Sequence, residues 1–320
     1  MQEKIEKEII TIDDLAVEHY QPEKVLHQNP IIFIHGAFHG SWLFEKLQNY
    51  FARKGWENYA LNWRGHYLSK PVNDLGKTGL EVIAQDFLSL IPKLLKKNGS
   101  NSLSPQSSPA RGEEIIREFY LPDKSRKAKI IPSPLVEEGK GEGSLPILVG
   151  HSMGVLVSLK IAERLKTEKL VLLDGAPYRR IFLKAGLDKV MTREGIESRF
   201  EVTGDYLFAM KKEHIIESFF MKNLMDAKEL EGYLELACPE SGKMLVDIFT
   251  GNFDVDFSKI TMPVYILGKT MGPTGHRLNE MMAEDLKAKA CLVFDTIGHD
   301  MILQKDWEKY AKIIEEWLKA

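Results

Sequence analysis

The hydrophobic pattern of the chain switches between two periods. Six short apolar runs, IIFIH (31–35), YALNW (59–63), PILVGH (146–151), KLVLLD (169–174), PVYILG (263–268) and ACLVFD (290–295), mostly lack polar–apolar alternation. That suits strands buried on both faces of a parallel sheet. Between them apolar positions recur at helical spacing: over 43–53, at Ile83, Phe87, Leu90 and Leu94, over 155–165, and at Trp307, Tyr310, Ile314 and Trp317. Pro92 falls inside the second of these and predicts a kink. Alternating strands and helices predict an α/β fold with a doubly wound, mostly parallel sheet. The opening EKEIITIDDLAVEHYQ reads instead as a hairpin turning at Asp13-Asp14, an antiparallel edge to that sheet.

Two segments interrupt the alternation. Residues 97–145 are rich in Ser, Pro, Gly and charge, a composition that buries too little apolar area to order itself. They follow a helix and precede a strand, so they are expected to leave from the N-terminal edge of the sheet. Ligands of such sheets bind at the opposite, C-terminal edge, which makes this insertion catalytically silent. Residues 178–257 show helical patterning in DYLFAM, IIESFFMKNLM and KELEGYLEL and no strand-like run. The expected organisation is a core in two parts, 1–177 and 258–320, with 178–257 inserted as a helical lid over a site at the C-terminal edge.

Composition narrows the function classes. A net charge of −3 over 320 residues offers no basic face for nucleic acid or anionic membranes. No stretch approaches the roughly 18 apolar residues of a membrane span. The two cysteines, Cys238 and Cys291, sit in apolar runs and read as buried thiols of a reducing compartment. MQEKIEKEII carries no apolar core of a secretory signal, so the expected location is cytoplasmic. There is no HExxH, no CxxC pair, no GxGxxG and no phosphate loop, which implies neither metal nor cofactor and a small-molecule substrate as the partner. The oligomeric state is left open.

The chemistry concentrates in ILVGHSMGVLVS, residues 147–158. An apolar strand runs through Gly150-His151-Ser152-Met153-Gly154 into a helix, the context of a strained strand–turn–helix nucleophile elbow. Gly150 and Gly154 are needed where backbone packs on backbone, and Ser152 is left at a helix N-terminus that favours negative charge. A base is required downstream. His299, in DTIGHDMIL, lies between the last candidate strand and the C-terminal helix, on the same sheet edge. FIHGAFHGSW lets the chain turn toward the serine after the first buried strand, so the N–H groups of Ala37 and Met153 can converge on an oxyanion.

HGAFHGSW, NWRGHYLSK, VGHSMG and IGHDMIL together resemble the α/β-hydrolase superfamily, its lipase-like and esterase-like members and the plant methylesterases with an HGAxHGxW loop. The resemblance spans about residues 25–96 and 146–320 and implies the doubly wound α/β-hydrolase sheet. It departs at the acid. Members usually carry it a few residues after the strand that here reads PVYILG, but KTMGPTGHRL follows, with Met271 or Gly272 at that place and no carboxylate before Glu280. Asp174 ends the strand after the nucleophile helix, and certain lipases and the haloalkane dehalogenases resemble this arrangement. Asp174 is therefore the expected triad acid, with a structural role at the start of the lid as the alternative and Asp300 as the poorer candidate, its side chain expected to point away from His299.

These residues amount to a serine hydrolase of carboxylesterase or lipase type, acting on an ester or related acyl bond of a small, apolar substrate. Phe38, Phe219, Phe220, Met221 and Met225 are candidates for an apolar pocket, with ordinary lid core the competing reading. A catalytically silent binding protein of the same fold, an acyltransferase and a C–C hydrolase with the same triad remain as alternatives.

Overall fold

In the computed structural model of the chain, the described residues are 5–98, 144–189, 194, 200–203, 206–211, 213, 216, 224–270 and 277–320. The hairpin at the start is formed by β1 (Ile5–Ile12) and β2 (Leu15–Pro22), paired Ile12 to Leu15 across a two-residue turn. Asp13 and Asp14 both have positive φ, 51° and 67°. A two-residue turn of this hand needs that at both positions, and Asp tolerates it better than most residues.

The six apolar runs form β3 (Ile31–Ile34), β4 (Asn58–Leu61), β5 (Ile147–His151), β6 (Lys169–Leu173), β10 (Val264–Lys269) and β11 (Ala290–Phe294). With the hairpin they make an eight-stranded sheet in the order β1-β2-β4-β3-β5-β6-β10-β11, parallel except at β1–β2 and β2–β4. The absence of alternation now has its reason. Ile31 and Phe33 pack on one face with Leu47 and Phe51 of α1 (Glu45–Arg53) and with Tyr310, Ile314 and Trp317 of α8 (Trp307–Lys319). Ile32 and Ile34 pack on the other with Ile83, Phe87 and Leu94 of α2 (Leu80–Asn98) and with Val155 and Leu159 of α3 (Met153–Ala162). Helix α2 runs on through Pro92 rather than ending there.

The chain winds outward from β3 to β4, then returns to place β5 on the other side of β3. The connections after β3 and β5 therefore run in opposite directions from the C-terminal edge, which makes this the switch point of the sheet, where such folds bind ligands. The 97–145 insertion lies almost wholly outside the described residues. Its return is at the opposite edge, where Leu145 N–H donates to Asn29 Oδ1 (3.0 Å) and Ile147 N–H to Pro30 O (2.9 Å).

The segment 178–257 departs from the expected all-helical character. It contains α4 (Arg179–Lys184), α5 (Ala227–Leu236) and α6 (Gly242–Phe249), but also a three-stranded antiparallel sheet of β7 (Phe200–Thr203), β8 (Leu207–Met210) and β9 (Glu240–Ser241). DYLFAM, expected as helix, contains β8. Four apolar residues fit either period, and what decides it is the antiparallel pairing of β7 with β8, across which buried Phe208 stacks on Phe200 (centroids 5.5 Å apart). Much of IIESFFMKNLM lies outside the described residues. The remaining helix of the core is α7 (Leu278–Asp285), and among the described residues no helix is long and apolar enough to cross a membrane.

Candidate active site

Strand β5 delivers Ser152 directly to the first turn of α3. Ser152 has φ 54° and ψ −120°, a conformation that costs about 1–3 kcal/mol in a non-glycine residue and persists only where its surroundings fix it. Here they do: Ser152 N–H donates to Leu173 O (2.9 Å), while Ser152 O accepts from Val155 N–H and Ala176 N–H (both 3.1 Å). The glycines are required by contact. A Cβ on Gly154 would run into the Ile34 carbonyl and stand 2.5 Å from His35 O; one on Gly36 would stand 2.6 Å from Ser152 Cβ. The loop after β3 thus lies against the serine only because residue 36 has no side chain.

Asp174 follows β6, the neighbour of β5, and also has positive φ (42°). Its Oδ2 is 2.6 Å from His299 Nδ1, and its Oδ1 accepts from Asn279 Nδ2 (2.8 Å) and Lys269 N–H (3.1 Å). Lys269 Nζ stands 3.6 Å from Oδ2. Burial opposes the charge on Asp174, but the hydrogen bond and charge of His299, the Lys269 ammonium and the Asn279 amide outweigh it, holding the carboxyl well below the usual carboxylate range. With Nδ1 donating to a carboxylate, the imidazole keeps Nε2 as the nitrogen able to accept a proton. The place after β10 where the family's usual acid is expected, residues 271–276, lies outside the described residues. Lys269, at the end of β10, instead gives its backbone N–H to Asp174.

Asp300 makes its contacts in a buried cluster that sequence reasoning missed. Its Oδ2 is 3.1 Å from His39 Nε2 and its Oδ1 is 3.3 Å from His151 Nε2, which also donates to His299 O (3.0 Å). Burial pushes the Asp300 carboxyl up, but the charge and hydrogen bond of His39, with His151 and His299, bring it down to about 2. Burial, with the nearby charge of His299, lowers His151 to about 3, so that ring is neutral at physiological pH. His151, His299 and Asp300 offer ligand atoms within 4.8 Å of one another. These groups are engaged with Asp174, His39 and each other rather than open to an ion.

On the loop after β3, His35 Nδ1 donates to Gly36 O (2.8 Å) and Nε2 accepts from Trp63 N–H (3.2 Å), which fixes its tautomer. Ala37 is buried. Met153 is the first residue of α3, and N–H groups of the first turn have no acceptor within their own helix. Phe38 has φ 65° and stacks on Phe200 (5.7 Å). Met225 is buried with Leu230 and Trp42 in the core on the α1 side. Phe219, Phe220 and Met221 lie outside the described residues. Cys238 and Cys291 are free and half-buried rather than fully buried; Cys238 Sγ accepts from Tyr67 N–H (3.3 Å).

A strained serine, a carboxylate-bound histidine and an acid on adjacent strand ends of this sheet invite comparison with known proteins. A family model described as the alpha/beta hydrolase family matches residues 31–313. The chain belongs to that family. Its alpha/beta hydrolase fold is shared with a methylesterase from Arabidopsis (14% identity, covering 91% of this chain and 99% of that one, TM-score 0.59). An esterase from Exiguobacterium antarcticum is similar to the same extent (17%, 98% and 99%, TM-score 0.61), as is MenH from S. aureus (13%, 95% and 97%, TM-score 0.59). Such identities establish a common fold and leave the substrate open. No curated protein matches this alpha/beta hydrolase in sequence.

Several supporting groups of the hydrolase site carry no local signature. Asn279 and Lys269 approach Asp174 only through the β6–β10 pairing, and Glu240 reaches Phe38 N–H across 202 positions of sequence. His39, His151 and Asp300 all stand inside the motifs, but nothing local shows that the three meet in one cluster.

Proposed function

We propose that this alpha/beta hydrolase is a serine hydrolase that cleaves a carboxylic ester, or a related acyl bond, of a small apolar substrate through an acyl-enzyme. The observation that carries the reading is the His299–Asp174 contact of 2.6 Å at strand ends next to a serine held at φ 54°. Ser152 Oγ attacks the carbonyl carbon as His299 Nε2 takes its proton. Asp174 holds the ring in the required tautomer and stabilises the imidazolium. The N–H groups of Ala37 and Met153 receive the oxyanion, each such donor being worth about 10²–10³ in rate. Collapse expels the alcohol with the proton from His299, and water activated by the same nitrogen releases the acid. In this reading 178–257 serves as a lid, and Phe38, on its stack with Phe200, lines the acyl side.

The test is hydrolysis of p-nitrophenyl acetate, butyrate and octanoate by wild type and Ser152→Ala, with labelling by a fluorophosphonate probe. Turnover and labelling in the wild type, both lost in the variant, support the proposal. A wild type that neither hydrolyses any of these esters nor labels at Ser152 refutes it, in favour of a silent binding protein.

A further inference from the structure

The peptide joining Ala37 to Phe38 is gripped at both ends. Its carbonyl, Ala37 O, accepts from His39 Nδ1 at 2.5 Å, and its N–H donates to Glu240 Oε2 at 3.2 Å. Behind each contact stands a buried acid–imidazole pair. His39 Nε2 lies 3.1 Å from Asp300 Oδ2, and Glu240 Oε2 lies 3.2 Å from His66 Nε2. Glu240 and His66 side chains are completely excluded from solvent. Both oxygens of Glu240 are engaged, since Oε1 takes Ser241 N–H (2.8 Å) and Oε2 takes Phe38 N–H as well as His66.

Burying two such pairs is costly, and a plain strand-to-helix connection does not require it. Their common object is a strained peptide. Phe38 sits in the left-handed region, which a bulky side chain adopts only when its neighbours over-determine it. Those neighbours are His39, Glu240 and the Cys238 N–H, which donates to Phe38 O at 2.9 Å. Releasing either end would let Phe38 relax and carry the adjoining Gly36–Ala37 peptide with it. That second peptide holds the N–H assigned above to the oxyanion.

We propose that Glu240, seated against His66, is a positioning residue of the oxyanion loop. It acts through Phe38 N–H opposite the Asp300–His39 pair, so that the Ala37 N–H is aimed only while the inserted segment is in place. The inference rests on the acyl-transfer reading. Glu240 belongs to β9 of the inserted segment and His66 to the loop after β4, so the contact ties that segment to the core at the peptide next to the one that carries the oxyanion N–H. Burial opposes a charge on His66, but Glu240 and the Arg64 carbonyl overcome it and raise the imidazole above its ordinary value.

Glu240→Gln tests this without changing size. The amide keeps its oxygen on Phe38 N–H and His66, since two donors outweigh one, and turns its NH2 against Ser241 N–H; that donor–donor clash and the lost charge withdraw the side chain from Phe38 N–H. The expected result is a fall in kcat on p-nitrophenyl butyrate of about 10²-fold, with KM unchanged within about threefold. Affinity for a trifluoromethyl ketone, whose hemiketal uses the oxyanion site, should fall in parallel with kcat. A folded Glu240→Gln protein with kcat retained, or with kcat lowered and the ketone affinity unchanged, overturns the proposal. If that variant fails to fold, Asp300→Asn releases the other end of the peptide and is held to the same two readings. A wild type without turnover or labelling removes the acyl-transfer reading and this inference with it. An active wild type with an unaffected variant removes the inference alone.

Discussion

Asp174→Asn preserves shape, and the surrounding donors dictate how its amide must sit. Oδ1 of Asp174 takes two hydrogen bonds, from Asn279 Nδ2 at 2.8 Å and Lys269 N–H at 3.1 Å, whereas Oδ2 takes one, from His299 Nδ1 at 2.6 Å. An asparagine keeps its oxygen on the pair, because the reverse orientation strands two buried donors at about 1–3 kcal/mol each. Its NH2 then faces His299 Nδ1 and turns that nitrogen into an acceptor. The ring hydrogen moves to Nε2, which can no longer accept the Ser152 proton, and the negative charge beside the imidazolium is gone. The expected fall in kcat on p-nitrophenyl butyrate is about 10³–10⁴-fold, or about 4–5.5 kcal/mol of transition-state stabilisation, with KM little changed. Initial rates are to be normalised by thermal melting of the purified protein, since Asp174 also contributes to stability. Its carboxyl lies below the unfolded value of 3.8, so that contribution is present above pH 3.8 and is lost as pH falls through the folded value. The variant should therefore melt lower at pH 7. A folded Asp174→Asn protein within about tenfold of wild-type kcat would refute the assignment of the acid.

Gly154→Ala should destabilise the protein by more than about 2 kcal/mol in urea unfolding, because its Cβ meets the carbonyls of Ile34 and His35, which are backbone and cannot turn aside. A shift below about 0.5 kcal/mol would mean the elbow yields. Two buried histidines, His35 and His151, are held neutral chiefly by burial, His151 down to about 3. Below pH 6.5 the unfolded chain takes up protons that these rings refuse, so stability falls as pH drops, by about 1.4 kcal/mol per pH unit for each fully shifted ring. Urea midpoints at pH 7 and 5 should converge in His151→Leu relative to wild type, and an unchanged difference would count against a neutral His151. Replacing residues 99–143 by a short Gly/Ser linker should leave ester turnover and the melting temperature nearly unchanged, because the chain rejoins the fold at Asn29 and Pro30, away from Ser152; collapse of either would show that the segment packs on the domain.

The sheet was legible because its strands are buried on both faces, and Ile31 to Ile34 therefore read as an unbroken apolar run. The elbow was legible because its glycines and serine are adjacent in sequence. Asp174 is the expected acid from its place at the end of the strand beside the serine's together with the resemblance to family members that carry their acid there. What escaped reading depends on pairings that local periodicity does not show. DYLFAM fits either period until Phe200 and Glu240 supply strand partners, and Asp300 shows its role only where His39 and His151 meet it. Glu240 stands in none of the motifs, and its role shows only in its burial against His66.

The amides of Ser152 and Asp174 donate to Leu173 and Leu267, the last rungs of the central ladder where β5, β6 and β10 lie side by side. The proposed nucleophile and acid are thus fastened to the part of the molecule that opens last, while His299 hangs on a loop beyond β11, the edge strand. Deuterium should enter the backbone at Ser152 and Asp174 on the timescale of whole-molecule opening and at His299 far sooner. Heat should then silence the enzyme in two stages, first reversibly as the histidine loop frays, and only later, with the sheet, for good.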